Sequence, residues 1–333
     1  MTNSKNILLT GGAGYIGSHT ALSLLDQGHK VTIIDSLVTG NKELIPQQAK
    51  FIECDIADEI KIENLLFNNK YDALMHFAGF IRVDESIDKP EMYMDNNVKK
   101  SYKLFNLCIK NGLNNFIFSS TAAVYGNNNN LLVDEKDKIN PLNPYAKSKI
   151  LIEEYLKKKD EEKLIKYISL RYFNVAGSDP LLRSGLISKN PTHLIKVACE
   201  VAVNKRDYIE IFGNDYPTPD GTAIRDYIHV SDLADLHVLS LNYLLSQKSS
   251  SIMNCGYGHG YSVKLILDKL NKITKKPLDV RIGKKRNGDA ISLVANVEKI
   301  KRKLSWKPQY DDIEYIIETA IKWETKILNE KIF

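Results

Sequence analysis

Between Asn6 and Gly17 the chain reads NILLTGGAGYIG, and no other stretch constrains the fold as tightly. A short apolar, β-leaning run, Ile7-Leu8-Leu9-Thr10, meets a glycine cluster and then a helical pattern from about Ile16 to Gln27. Gly12, Gly14 and Gly17 satisfy G-x-G-x-x-G, and Gly11, Gly14 and Gly17 satisfy a looser G-x-x-G-x-x-G. Glycines so placed allow a turn of unusual φ, a close backbone approach to pyrophosphate, and tight helix–strand packing. The following helix turns its unpaired N–H groups and positive dipole end toward the anion. Glycine turns also arise for folding reasons alone, so context decides. A second apolar run, Lys30-Val-Thr-Ile-Ile, ends at Asp35, 18 residues past Gly17 (35 − 17). That is close to the ~20 at which a carboxylate accepts from the adenosine ribose. A carboxylate there also repels a 2′-phosphate, so the expected cofactor is NAD rather than NADP.

The rhythm continues. Lys50-Phe-Ile-Glu-Cys-Asp reads as a strand ending at Asp55, followed by a helix near Ile60–Phe67 and a strand from Ala73 to Ala78 before Gly79. Pro90 to Asn111 reads as one long amphipathic helix, then Phe116-Ile-Phe-Ser-Ser as a strand, and Tyr145 to Lys159 as a helix. Tyr167 to Phe173 is a sixth strand, ending at Asn174. This alternation predicts an α/β fold, a Rossmann-like doubly wound parallel sheet with its ligand across the carboxyl ends of the strands. Beyond Gly177, prolines, glycines and asparagines break the pattern, which predicts a smaller mixed α/β C-terminal domain. The expected division is 1–177 for NAD and 178–333 for the substrate, with segments near 225–260 packing back on the first domain. Helices are expected at Ser231–Leu245 and Asp311–Lys326.

Composition narrows the function classes. The net charge is +5 and spread thinly, and neither dense basic run (Lys157 to Lys159, Lys284 to Arg286) is interleaved with aromatics, so nucleic acid is not an expected partner. No apolar run nears the ~18 residues of a membrane span. No leader is visible, and Cys54, Cys108, Cys199 and Cys255 show no framework spacing, so a cytoplasmic protein with inert buried thiols is expected. His229 and His237, eight apart, have no ligand-like spacing, and His76 reads as a core residue, so no metal is expected.

The chemistry lies in Pro144-Tyr-Ala-Lys-Ser-Lys. Tyr145 and Lys149 stand at i and i+4, on one helix face, after a strand ending Ser119-Ser120-Thr121. A phenol of pKa near 10 is a poor base. An ammonium one turn away and the positive ring of bound NAD are expected to lower it, making Tyr145 a general acid–base.

TGGAGYIG, HFAG, DNNV, FSSTAAVYG, PYAKSK, RYFN, DGTAIRDYIHV and RNGD occur in this order along nearly the whole chain. Together they resemble the extended short-chain dehydrogenase/reductases, and within them the 4-epimerase branch that acts on UDP-glucose and UDP-galactose. The glycine turn and Tyr–Lys pair are shared across that superfamily, whereas IFGNDYPTPDGTAIRDYIHV is specific to the branch. The resemblance implies NAD-dependent interconversion of the two UDP-sugars by transient oxidation at carbon 4. Tyr145 would take the proton of the 4-hydroxyl, Thr121 would bond the same oxygen, and Lys149 would hold the cofactor's ribose and tune Tyr145. Cofactor contacts would come from Gly11, Gly14, Tyr15, Ile16 and Gly17; from Asp35, Ser36, Leu37, Thr39 and Gly40; and from Asp55, Ile56, Phe77, Ala78, Gly79, Ile81, Asn96 and Phe173, with Thr121, Tyr145 and Lys149. The UDP-sugar would meet Thr121, Tyr145, Asn174, His193, Leu194, Ile211, Phe212, Arg225, Arg286, Asp289 and Leu293. A homodimer through the helices 90–111 and 145–159 is also implied.

Two departures stand out. Many family members place Lys two residues after the glycine of HFAG, where this chain has Ile81, so that contact is lost or supplied by Arg82. Many members specific for glucose and galactose have Tyr at Leu293, so use of UDP-N-acetylglucosamine and -galactosamine is open. The rivals are a 4,6-dehydratase, a hydride-consuming reductase and a non-catalytic NAD-binding sensor. Relatives that dehydrate carry Asp-Glu directly after the Thr, where this chain has Ala122 and Ala123. A reductase usually draws on NADPH, which Asp35 disfavours, and a sensor has no need of the Tyr–Lys pair.

Overall fold

The computed structural model describes residues 4–128, 130–247, 249–285 and 290–331. Six strands follow one another: β1 (Asn6–Thr10), β2 (Lys30–Asp35), β3 (Lys50–Glu53), β4 (Ala73–His76), β5 (Asn115–Thr121) and β6 (Lys166–Tyr172). They pair in parallel in the order β6-β5-β4-β1-β2-β3. Helices cover both faces, which is why the strands read as unbroken apolar runs. Alternate residues of each strand feed two cores. Ile7, Leu9, Ile33 and Met75 meet α1 (Tyr15–Asp26) and a later helix on one face. On the other, Leu8, Ile34, Leu74 and Phe116 meet α2 (Glu59–Asn68) and the helices described next.

The structure departs from the sequence reading in three places. First, β3 stops at Glu53 rather than Asp55, whose carboxylate turns back to accept the Ala57 N–H at 2.9 Å. β4 likewise stops at His76, before Phe77 and Ala78. Second, the segment 90–111 is not one uniform helix. After α3 (Val83–Asp88) come α4 (Pro90–Tyr93), a π-helical turn at Met94–Lys99, and α5 (Lys100–Lys110). Such widened turns often mark functional sites. Third, the sheet has a seventh strand, Ser251–Cys255, parallel to β6.

Asn143 caps α6 (Pro144–Glu161) by accepting the Ala146 N–H at 2.8 Å, with Pro144 at the first turn. After β6 the chain forms α7 (Leu194–Ala202) and α8 (Val230–Gln247), and α8 is the later helix beside α1. Short pairs outside the sheet join Asn174–Ala176 to Tyr227–His229, and Ile209–Phe212 to Val280–Gly283. The last helix spans Ile313–Glu330, capped by Asp312. All four cysteines are free and buried. His76 is a core residue, bonded to Thr10 and Ser101. Strand order reverses between β1 and β4, so their carboxyl ends open the crevice of the fold.

Candidate active site

At that crevice Gly11 adopts φ +74°, and a Cβ there would lie 2.5 Å from the Ala78 nitrogen. Only glycine lets the first turn pass so close to the Phe77–Ala78 segment. Gly14 begins α1 without a side chain to cap it, so the first-turn N–H groups point outward unpartnered within the helix. Across the turn, Asp35 accepts the Ala13 N–H on Oδ2 (3.0 Å) and the Leu37 N–H on Oδ1 (2.9 Å). Leu37 takes φ +57°, a conformation that costs a branched side chain energy and recurs at functional sites. Gly40 closes on the same carboxylate. Burial pushes Asp35 up from the ordinary carboxylate range, against the two N–H bonds that hold it down. Each carboxylate oxygen keeps a lone pair for a ribose hydroxyl. An uncapped helix start and this carboxylate fit the pyrophosphate and adenosine ribose of NAD. Ser36 and Thr39 are exposed on the same loop.

Asp55 and buried Ile56 lie just beyond β3. Burial would raise Asp55, but bonds from Lys100 (Nζ at 2.5 Å) and the Ala57 N–H hold it below its usual value. Tyr15 sends its hydroxyl to the Gly177 carbonyl at 2.6 Å, so only its ring and backbone face the turn. Ile81 is exposed, and Arg82 pairs with Asp84, with Nη2 2.6 Å from Oδ2.

Tyr145 rises from the first turn of α6 and hydrogen-bonds the side chain of Thr121 at the end of β5. Lys149, buried one turn on, lies with Nζ 5.9 Å from the Tyr145 ring centre and donates to the Ser119 carbonyl at 2.9 Å. The expected depression of the phenol by Lys149 is not what the protein alone produces. Burial of its hydroxyl end raises Tyr145, and the Thr121 bond offsets this in part. Burial also brings Lys149 down to about 8, opposed by Glu153. The phenol is therefore held neutral, and further positive charge is required to make it a base.

On the far side of the crevice, Asn174, Leu194 and His193 line a small cavity with Tyr15, and His193 is exposed at its edge. Phe173 is buried beside them. Ile211 and Phe212 pair with Ile282 and Gly283, on the strand that leads to residues 286–289. Arg286 and Asp289 lie outside the described residues. Leu293 is buried and paired in register with Arg225.

The sequence did not reveal the residues that assemble this site. Asn97, in the π-helical turn beside Asn96, accepts the Phe80 N–H (2.8 Å) and donates to the Phe80 carbonyl (2.9 Å) and to Ser148 Oγ (3.2 Å). It ties the Gly79 loop to α6. The doubled asparagine in DNNV was the available signal. Tyr172 and His237, bonded at 2.5 Å, stand against Phe77 and Ser119 with no local pattern to announce them.

A model of the NAD dependent epimerase/dehydratase family matches residues 7–256. The UDP-glucose 4-epimerase of Azospirillum brasilense is 42% identical over 324 residues, covering 97% of this chain and 93% of its own length. Among solved structures, UDP-glucose-4-epimerase from Stenotrophomonas maltophila with bound NAD and formylated UDP-arabinopyranose superposes with a TM-score of 0.94 at 33% identity, covering 98% of this chain and 99% of its own. The UDP-Glc/GlcNAc 4-epimerase of Campylobacter jejuni gives 0.84 at 41%, covering 97% and 100%.

Proposed function

The chain belongs to the NAD dependent epimerase/dehydratase family, and from that premise we propose that it is an NAD-dependent enzyme interconverting UDP-glucose and UDP-galactose at carbon 4. The observation that supports this most directly is the buried hydroxyl end of Tyr145, bonded to Thr121 and one helical turn from Lys149, at the carboxyl edge of the sheet. NAD held here would supply the hydride acceptor and donor for opposite faces of carbon 4, through a 4-keto sugar that turns over in between, and the positive charge that the phenol lacks. Tyr145 takes the proton of the 4-hydroxyl and gives it back, while Thr121 holds the same oxygen. Lys149 has donors beyond its bond to the Ser119 carbonyl, and these hold the cofactor's ribose. Asp35 takes the adenosine ribose and Gly11 to Gly17 the pyrophosphate, with Asp55 and Ile56 as further cofactor contacts. Asn174, His193, Leu194, Ile211, Phe212, Arg225 and Leu293 surround the UDP-sugar; Arg286 and Asp289, outside the described residues, are assigned to it by the family resemblance alone. A dehydratase reading has no support at Ala122 and Ala123, which carry no proton-transferring group.

Leu293 favours a second substrate class. It is shorter than the tyrosine common at this position, a change that favours acceptance of an N-acetyl group, and it lies in register with Arg225. UDP-N-acetylglucosamine and its galactose epimer are therefore proposed as further substrates.

We also infer a division at about 177/178 into cofactor and substrate parts, with α8 and Ser251–Cys255 returned to the first; a homodimer; and, from four free buried thiols, a reducing, cytoplasmic location. Among the described residues no helix is long and apolar enough to cross a membrane.

The test is conversion of UDP-galactose by purified protein without added NAD. UDP-glucose is expected, and Tyr145→Phe should lower kcat by about 10²- to 10⁴-fold with nucleotide still bound. Unchanged turnover in that variant would leave NAD binding alone. UDP-N-acetylgalactosamine in the same assay tests the Leu293 reading, which fails if no product forms.

A further inference from the structure

Tyr145 and Lys149 are the first two members of a row. Glu153 follows at the next i+4 step, so three side chains stand on one face of α6 across successive turns. Each meets one residue of β5: Tyr145 the Thr121 side chain, Lys149 the Ser119 carbonyl, and Glu153 the Ser120 hydroxyl, which donates to Oε1 at 2.6 Å. Behind Glu153 lies Arg171 of β6, donating from Nε to Oε1 (3.0 Å) and from Nη2 to Oε2 (2.6 Å). Arg171 Nη1 also donates to Tyr125 (2.9 Å), whose hydroxyl donates to Asn254 on the seventh strand (2.6 Å). Glu153 and Arg171 are 4% and 3% exposed.

A buried ion pair contributes little net stability over well-packed apolar residues of the same volume, so stability is a weak account of this one. Its place suggests another. We propose that Glu153, anchored by Arg171 and Ser120, is a positioning residue that sets the charge and aim of Lys149 and through it the proton transfer by Tyr145. The proposal rests on the epimerase reading above.

The ionisable groups that act on Lys149 are Tyr145 and Glu153 on its own helix and His76 on β4, with Arg171 of β6 behind Glu153 and Tyr172 of β6 beside Ser119. The Phe118 ring centre lies 5.0 Å from Nζ. His76 is pushed down to about 3 by burial and by Lys149, so it stays neutral and offers no counter-charge. Arg171 takes both oxygens of Glu153, and of the two charges it is the carboxylate that acts on the ammonium. The Glu153 carboxylate is what opposes the desolvation of the ammonium. It does so from one helical turn away, on a support that cannot swing.

Glu153→Gln keeps the shape and an acceptor for Ser120 while removing the charge. In the holoenzyme, kcat with UDP-galactose should fall about 10- to 100-fold, the range of a weakened acid–base group, with KM within about twofold. The alkaline limb of the kcat profile should move down by about one pH unit or more, because Lys149 loses its proton sooner. Read without turnover, the tyrosinate absorbance of Tyr145 in the NAD-bound enzyme, taken as a difference against Tyr145→Phe, should be displaced from its wild-type pH. Because this variant strands Arg171, the double variant Glu153→Gln/Arg171→Met is made beside it. It should melt near the wild type yet keep both displaced titrations. If whichever variant folds gives the limb and the tyrosinate titration of the wild type, Glu153 is only structural, whatever its kcat. Failure of the epimerase reading is distinct: the wild type itself would leave UDP-galactose unchanged, while the spectroscopic titrations would still report on Lys149 and Tyr145.

Discussion

At the residue scale the glycines of the first turn divide into two kinds of constraint. A Cβ on Gly17 would press on the Gly11 carbonyl oxygen, which is fixed backbone. A Cβ on Gly14 would meet the same oxygen at 3.2 Å, and its φ of −89° suits any residue. Gly17 is therefore glycine for the fold, and Gly14 for what approaches it. Gly17→Ala should cost about 2–3 kcal/mol, the scale of overpacking in a closed site. Gly14→Ala should melt within a few degrees of the wild type but release most of its nucleotide on purification, a drop of about tenfold in bound NAD. Thermal melts and the nucleotide freed on denaturation measure the two effects. A Gly14→Ala protein with a full complement of NAD would remove the pyrophosphate from this turn.

At the scale of elements, what could be read in advance was what is local. β1 to β6 show themselves because a parallel strand covered on both faces is a continuous apolar run, closed here by Gly11, Asp35, Gly79 or Asn174. The glycine turn and the Tyr145–Lys149 step are likewise spacings within one turn or two. The seventh strand, Ser251-Ile-Met-Asn-Cys, was not legible as such because Asn254 sits in a buried position, paid for by partners 121 and 129 residues away, the Val133 carbonyl and the Tyr125 hydroxyl. The π-helical turn at Met94–Lys99 leaves no trace in hydrophobic period, and Arg171 could not be matched to Glu153 before β6 was laid beside α6. The homodimer proposed above would form on α5 and α6. Tyr102 and Tyr155 stack across them with ring centres 4.5 Å apart, and half-buried Leu107 and Leu151 continue the seam. An apolar seam on two adjacent helices is the kind of patch that a second copy covers. Light scattering at micromolar concentration should give about 76 kDa, twice the 37.8 kDa of one chain, and Leu151→Glu should halve it. A wild-type monomer would refute the interface.

At the scale of the whole molecule, the titratable groups in the core set a pH limit on the fold. Burial lowers His19 and His237 to about 4, and His76 and His229 to about 3. Each is held neutral by packing, as in the bond of His237 to Tyr172 and that of His76 to Thr10. A group whose folded pKa lies below its unfolded value of 6.5 lends its full stability above 6.5, and loses it as pH falls toward the folded value. Near pH 5 all four are protonated in the unfolded chain and neutral in the folded one. Asp226 works the other way. Burial raises it to about 6 against three backbone N–H bonds, so near pH 5 the folded protein holds a proton that the unfolded chain lacks. For these five groups the net is about three protons taken up on unfolding, a slope of about 4 kcal/mol per pH unit at its steepest. For a fold whose total stability is of order 5–15 kcal/mol, that is enough to unfold it within about two pH units below 6.5. Urea titrations at pH 7.5, 6.5, 5.5 and 5.0 should show a midpoint nearly constant between the first two and falling steeply through the last two. A midpoint that held level from pH 7.5 to 5.0 would mean that these histidines accept protons in the folded state, and that the core around the crevice opens far more readily than its packing implies.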